Sequence, residues 1–271
     1  MERLEQIEYC IRMLLRDLPQ YAAWAESFPP DEPSRRRLLR SLMNLRPAWP
    51  LRTDFLAAQD EILRAEREEK GVVDAAGLPV TCADPRLALW RGDITRLRAD
   101  AIVNAANSAL LGCFYPCHGC IDNAIHSAAG LQLRDACNRI MAAQGHEEPT
   151  GQAKLTEGYN LPAKYVLHTV GPVVCGKLTA KDCRLLAGCY RSCLELANEN
   201  RLASVAFCCI STGEFHFPNE KAAQIAVETV RAFLDRTGSG MKVIFNVFKE
   251  VDYRIYQQLL GTGRPAAGTP R

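Results

Sequence analysis

Near-continuous apolar strands separated by amphipathic helices constrain this chain most. From about residue 87 the stretches LALW, DAIVNAAN, AKYVLHTVGP, SVAFCCISTG and MKVIFNVF read as strands. Between and after them DNAIHSAAGLQLRDACNRIMAAQ, DCRLLAGCYRSCLELANEN, NEKAAQIAVETVRAFLDRT and VDYRIYQQLL read as helices. Strands this apolar must be buried on both faces, so the pattern predicts an α/β fold whose largely parallel sheet is covered by helices on either side. In such sheets ligands bind at the carboxyl ends of the strands, where loops lead into helices. The loops there are RGDIT, NAANSALLGCFYPCHGCIDNAIH and STGEFHFP, and the chemistry is expected in those three.

The first 80 residues have a different texture. Leu4, Ile7, Ile11, Leu14, Leu15 and Leu18 recur at three- and four-residue steps, which predicts an amphipathic helix. After the proline-bearing FPPDEPS, with Ser34 as its expected cap, Leu38, Leu42 and Leu45 mark a second helix. A third runs from about Thr53 to Lys70, and GVVDAAGLP reads as the connector to the sheet. Arg35, Arg36 and Arg37 read as a solvated helix face, because acidic residues balance this region. The expected division is a helical extension over residues 1–79, a domain over 80–262 and a disordered tail over 263–271.

The formal charge of +2 speaks against a nucleic-acid tract or a membrane-surface patch. No run reaches the roughly 18 apolar residues of a membrane span. The N-terminal MERLEQIEYCIRMLLRD, with charges scattered through its apolar positions, is not a secretory signal. A cytoplasmic protein is expected. A chain of 271 residues is too long for a small disulfide scaffold, so most of its 12 cysteines read as small buried apolar residues. Cys113, Cys117 and Cys120 differ, since they share a glycine- and proline-bearing loop with His118.

Within that loop Cys113, His118 and Cys120 form C-x4-H-x-C, two thiolates and an imidazole. Three protein ligands leave the fourth tetrahedral position of a zinc ion open, which is the ligand count of a catalytic site. Cys117 offers two alternatives, replacing Cys113 or closing the site as a fourth ligand. His126, inside the following helix, reads as a packing residue. Asp93 follows a strand and can cap the next helical turn or accept a hydrogen bond from a ligand. Asn104 and Asn107 lie at a strand end, where an amide can bind a sugar hydroxyl or brace the loop. Asp122 at a helix start suits the helix dipole. Ser211, Thr212 and Gly213 make a turn whose amides can cradle an anion.

Five motifs, each beside a strand and in this order, carry a resemblance. GDIT (92–95), DAIVNAANSALLG (100–112), DNAIHSAAG (122–130), HTVGP (168–172) and STGEFHFP (211–218) are similar to the motifs of the macrodomain family, over about residues 80–262. The resemblance implies a three-layer α/β/α domain with a mixed, mostly parallel sheet that binds ADP-ribose. It implies adenine recognition at Asp93 and the Ile94 amide, and distal-ribose contacts at Asn107, Cys120, Ile121 and Asp122. It also implies a diphosphate and ribose loop at Ser211, Thr212, Gly213, Glu214 and Phe215, with Phe215 over the ribose. His216 is given no chemistry. Ordinary macrodomains have a glycine run where this chain has GCFYPCHGC. That replacement, with the helical extension, resembles the zinc-dependent macrodomains, microbial ADP-ribosyl hydrolases often encoded beside a sirtuin-type transferase and a lipoyl carrier protein. The family pattern matches Cys113, His118 and Cys120 and implies one zinc ion per chain, with Asn107 and Asp122 at the reacting centre.

The expected reaction is hydrolysis at C1 of the distal ribose, with zinc as Lewis acid. A two-thiolate site is formally neutral, which favours the carboxylate leaving group of an Asp or Glu ester over the guanidine of Arg. A module that reads ADP-ribosylated protein without cleaving it, and a deacetylase of O-acetyl-ADP-ribose, are the competing readings.

Overall fold

The computed structural model describes residues 2–261, so the tail expected over 263–271 lies outside the described residues. Four helices open the chain: α1 (Arg3–Asp17), α2 (Ala22–Glu26), α3 (Glu32–Leu45) and α4 (Thr53–Lys70). Ile7, Ile11 and Leu14 of α1, Leu38 and Leu42 of α3, and Phe55 and Ile62 of α4 bury one another in a core of their own, which Leu131 also joins. The cap of α3 is Asp31, whose Oδ1 accepts from the Ser34 amide at 2.9 Å, and not the expected Ser34. The reason lies in Pro33, whose fixed φ and missing N–H suit the first helical turn and draw the start of the helix ahead of Ser34. The expected arginine face is also corrected in part. Arg35 pairs with Glu8 of α1, Arg36 pairs with Glu66 of α4, and these side chains are largely buried; only Arg37 is exposed.

The main sheet has six strands in the order β2-β8-β7-β4-β6-β5. They are β2 (Leu87–Arg91), β4 (Ala101–Ala106), β5 (Ala153–Glu157), β6 (Tyr165–Val170), β7 (Ser204–Phe207) and β8 (Lys242–Val247). The short β1 (Val73–Asp74) and β3 (Leu97–Arg98) pair separately, side by side and parallel. Every neighbouring pair in the main sheet is parallel except β5 with β6. Helices α5 (Ile121–Ala129), α6 (Leu131–Gln144), α7 (Ala180–Glu199), α8 (Asn219–Thr237) and α9 (Glu250–Leu260) complete the fold. Residues on both faces of β4, β6 and β8 are buried, as a sheet between two helical layers requires.

Two differences from the sequence reading have physical causes. The helix expected from Asp122 to Gln144 breaks at Gly130, where φ is +97° and the Gly130 amide closes α5 on the His126 carbonyl at 3.1 Å. Strand β5 passed unnoticed because AKLTE is a half-buried, mostly polar edge strand. The consequence that matters for function is simple. Five parallel strands end on one edge, and the loops after β2, β4, β6, β7 and β8 gather there.

Candidate functional site

The loop from Asn107 to Cys120 links β4 to α5. Asn107 braces it: Oδ1 accepts from the Ala109 amide at 3.1 Å, and Nδ2 donates to the Gly112 carbonyl at 3.1 Å and to Asp122 Oδ2 at 3.3 Å. Gly112 stands at φ +80°, and a Cβ there would meet His126 Cγ at 2.8 Å, so only glycine lets the loop lie on α5. Beyond it Cys113, His118 and Cys120 come together, one ligand atom from each lying within 4.8 Å of the others. His118 Nδ1 is buried without a hydrogen-bond partner, while Nε2 lies 3.8 Å from Glu214 Oε1 of the loop after β7. Cys120 caps α5, its Sγ accepting from the Asn123 amide at 3.4 Å. Burial, with Cys113 and Asp122 adding to it, pushes its thiol up to about 12. Two half-buried sulfurs and an orphaned imidazole nitrogen form a donor set that a dication would satisfy, so the residues fit the expected ion. Cys117 is not among the three; its Sγ faces α3, 3.3 Å from Ser41 Oγ.

Asp122 sits in the first turn of α5, buried, with Oδ1 accepting from Asn104 Nδ2 at 2.8 Å. Burial pushes its carboxyl up to about 6, against the pull of Asn104 and the Arg134 guanidinium. Asn104 uses its second amide hydrogen on His168 Nδ1 at 3.2 Å, which leaves the His168 proton on Nε2 facing Thr156 Oγ1 at 2.9 Å. Burial pushes His168 down to about 3, so this imidazole is neutral. His126, Cys137 and His168 also approach one another within 4.8 Å in the interior. Both His168 nitrogens are already engaged, which leaves this trio no free donor at His168; His126, whose two nitrogens are buried without a hydrogen-bond partner, lies with Nε2 3.5 Å from Asp122 Oδ1.

Asp93 caps the turn after β2, Oδ1 accepting from the Thr95 amide at 3.0 Å and from Thr95 Oγ1 at 2.7 Å, with Ile94 buried behind it. Across the sheet edge Ser211 adopts φ +64°, and its Oγ is buried without a partner. Thr212 Oγ1 donates to the Cys209 carbonyl at 3.1 Å, Gly213 and Glu214 are exposed, and Phe215 is half-buried. Gly171 lets the β6 end pass this loop, since a Cβ there would stand 2.0 Å from Ser211 Oγ. His216 only turns the chain, at φ +56°.

Sequence reasoning missed Phe248. It follows β8, is 75% exposed, and stands beside the Asp93 loop, which Asn246 holds by donating to the Gly92 carbonyl at 3.0 Å. Its sequence context, a final aromatic in an apolar strand, carries no mark of exposure. Asn44 and Arg134, which reach the Cys113–Cys120 loop from helices, were missed as well, as was Arg40, which donates to Asn123 and Ser127 of α5.

A mixed sheet between helical layers, with its strand-end loops gathered at one edge, is the architecture of a macrodomain, and the chain belongs to the macrodomain family. The Macro domain profile matches residues 103–226. A protein-ADP-ribose hydrolase from Treponema medium is 52% identical over 262 residues, covering 96% of this chain and 100% of that protein. Among solved structures, the Trypanosoma brucei macrodomain in complex with ADP-ribose aligns with a TM-score of 0.64 at 36% identity, over 82% of this chain and 95% of its own. The Oceanobacillus iheyensis macrodomain with ADP aligns with a TM-score of 0.59 at 40% identity, over 65% and 90%.

Proposed function

We propose that the protein hydrolyses mono-ADP-ribose from protein side chains, preferring Asp and Glu esters, with one zinc ion held by Cys113, His118 and Cys120. The observation that carries this reading is the approach of those three ligand atoms within 4.8 Å of one another, at the start of the helix that bears Asp122. The name and identity of the Treponema medium relative support the hydrolase class. When bound, zinc supplies Lewis acidity at the distal ribose.

The chain's own residues do the rest. Asp93 and the Ile94 amide receive the adenine edge, and the exposed Phe248 ring offers a face for the purine to stack on. The amides of Ser211, Thr212 and Gly213, with the unpartnered Ser211 Oγ, cradle the diphosphate. The amides that open α5, those of Ile121 and Asp122, face the same anion at the positive end of the helix. Phe215 covers the distal ribose and excludes water, with Glu214 at the rim. Asn107 Oδ1 and the Asp122 carboxylate accept from the ribose hydroxyls, and Asp122, held by two asparagine amides, orients the attacking water. The water oxygen bonds to C1, the C1–O bond to the side-chain carboxylate breaks, and the water proton passes to solvent. A carboxylate leaves without needing protonation near neutral pH, which is why an ester suits this site.

The substrate is an ADP-ribosylated protein, and a lipoyl carrier modified by a sirtuin-type transferase is the candidate that the family resemblance supports. Twelve free cysteines fit a reducing compartment such as the cytoplasm, and no helix among the described residues is long and apolar enough to cross a membrane. The test is release of ADP-ribose from a Glu-modified peptide before chelation, after it, and after zinc is restored. Loss and recovery of turnover are expected. Equal release after chelation overturns the zinc assignment, and stoichiometric binding without release makes the protein a reader. Cleavage confined to O-acetyl-ADP-ribose makes it a deacetylase.

A further inference from the structure

We propose that the N-terminal helical unit is a positioning element of the active site, with Asn44 of α3 holding the Cys113–Cys120 loop in its ligand-binding shape. The zinc part of this inference rests on the reading above; the anchoring of the loop stands apart from it.

The loop has no regular structure and turns at Cys117 with φ +52°, a conformation that its surroundings must enforce. Those surroundings are α3. Asn44 is 2% exposed, and its Oδ1 accepts from the Cys117 amide at 2.9 Å. Its Nδ2 donates to Ser127 Oγ on α5 at 3.0 Å. One side chain therefore ties the loop to the helix that Cys120 caps. Nearby on α3, Ser41 Oγ lies 3.3 Å from Cys117 Sγ, and that sulfur is also 3.6 Å from the Arg37 carbonyl. Arg40 donates to Asn123 Oδ1 at 2.7 Å, and Asn123 Nδ2 donates in turn to the Tyr115 carbonyl at 2.9 Å.

A second strut comes from α6. Arg134, 3% exposed, donates to the Met43 and Asn44 carbonyls at 2.9 and 3.0 Å and to the Arg46 carbonyl, all at the end of α3. Helix ends carry unpaired carbonyls, and here a buried guanidinium satisfies them. The same side chain donates to the Leu111 carbonyl at 2.7 Å and lies under the Phe114 ring at 4.4 Å. The loop is thus gripped at Leu111, Phe114, Tyr115 and Cys117, between and beside its ligand residues, and none of these contacts falls on a ligand side chain. Cys117 is occupied by α3, while Cys113, His118 and Cys120 converge. Ligands whose backbone is fixed from behind lose less freedom on binding a metal, which is why partners outside the ligand shell tune affinity.

The test compares the full-length protein with Asn44→Ala, Asn44→Asp and, as a control that destabilises the helical unit away from the loop, Leu14→Ala. Zinc affinity is read by competition with a chromophoric chelator, and loop order by hydrogen exchange of the 113–120 segment in metal-free protein. Asn44→Ala is expected to speed exchange in that segment and to weaken zinc binding about 10- to 100-fold. Asn44→Asp, which keeps an oxygen for the Cys117 amide, is expected to recover most of both. Leu14→Ala is expected to lower the melting temperature and leave zinc affinity and loop exchange unchanged. Wild-type exchange and affinity in Asn44→Ala would overturn the proposal, as would equal effects from Leu14→Ala. A wild-type protein that takes up no zinc would sink the metal assignment, and the exchange comparison would then decide the anchoring alone.

Discussion

Asn104→Ala tests whether Asp122 works because it is held. Asn104 is fully buried and spends both amide hydrogens, one on Asp122 Oδ1 at 2.8 Å and one on His168 Nδ1 at 3.2 Å. A buried hydrogen bond to a carboxylate contributes about 1.5–3 kcal/mol and one between neutral groups about 0.5–1.5 kcal/mol. Truncation is therefore expected to cost about 2–4 kcal/mol of stability. At about 2–4 °C per kcal/mol for a chain of this size, the melting temperature falls by about 5–15 °C. Asp122 then keeps the 3.3 Å bond from Asn107 and the 3.5 Å approach of His126 Nε2, and loses the amide that fixes Oδ1 in its proposed place at the ribose. Misplacement of a catalytic group by about 1 Å costs on the order of 100-fold in rate, so kcat is expected to drop about 10- to 100-fold while KM changes little. Steady-state release of ADP-ribose from a modified peptide, beside a thermal melt, reads both effects. Thr156→Val supplies the comparison, because it removes the nearer of the two partners of His168 Nε2, the other being Cys137 Sγ at 3.7 Å, without touching Asp122. A folded Asn104→Ala enzyme turning over at the wild-type rate would refute the reasoning.

Three further outcomes follow from the same geometry. Gly171→Ala would place a Cβ 2.0 Å from Ser211 Oγ, so the Ser211 hydroxyl must move; if the 211–213 loop cradles the diphosphate as proposed, calorimetry should find ADP-ribose bound at least about tenfold more weakly with the fold intact. Phe248→Ala removes the exposed ring beside the Asp93 loop; stacking on a base contributes about 1–3 kcal/mol, so affinity for ADP-ribose should fall at least about fivefold while affinity for ribose 5-phosphate stays the same. Acid should destabilise the metal-free protein. Burial pushes His168 down to about 3 and His126 well below its usual range, so below pH 6.5 the unfolded chain gains two protons that the fold refuses. Asp122, raised to about 6, opposes with one proton. The two histidines outweigh the one carboxyl, so stability falls as the pH drops from 6 toward 4, and urea midpoints that stay level or rise over that range would contradict it.

The alternation of apolar strands and helices was legible because burial on both faces leaves no polar residue to break the strand pattern. The macrodomain motifs were legible for a related reason, since a Cβ at Gly92 would stand 2.4 Å from the Trp90 ring and Asn107 braces its loop at Gly112 and Asp122, so few residues fit either position. The edge strand β5 was not, because a half-buried, polar stretch such as AKLTE resembles a loop. The break at Gly130 was masked by good helix formers on either side of it. Tertiary placement was the largest omission. That Cys117 turns to α3, that Arg134 seals the end of that helix, and that Arg35 and Arg36 are paired between helices all depend on where distant segments pack. Local spacing singles out four candidate ligands in the loop; the family pattern leaves Cys117 out, and the packing of α3 against that sulfur gives the physical reason.

The central claim is a metal held by three particular side chains, and elemental analysis of purified protein tests it most directly. The account expects one zinc per chain in the wild type and in Cys117→Ala, and little or none in Cys113→Ala, His118→Ala and Cys120→Ala. Zinc retained by those three variants, or lost as fully from Cys117→Ala, would contradict it.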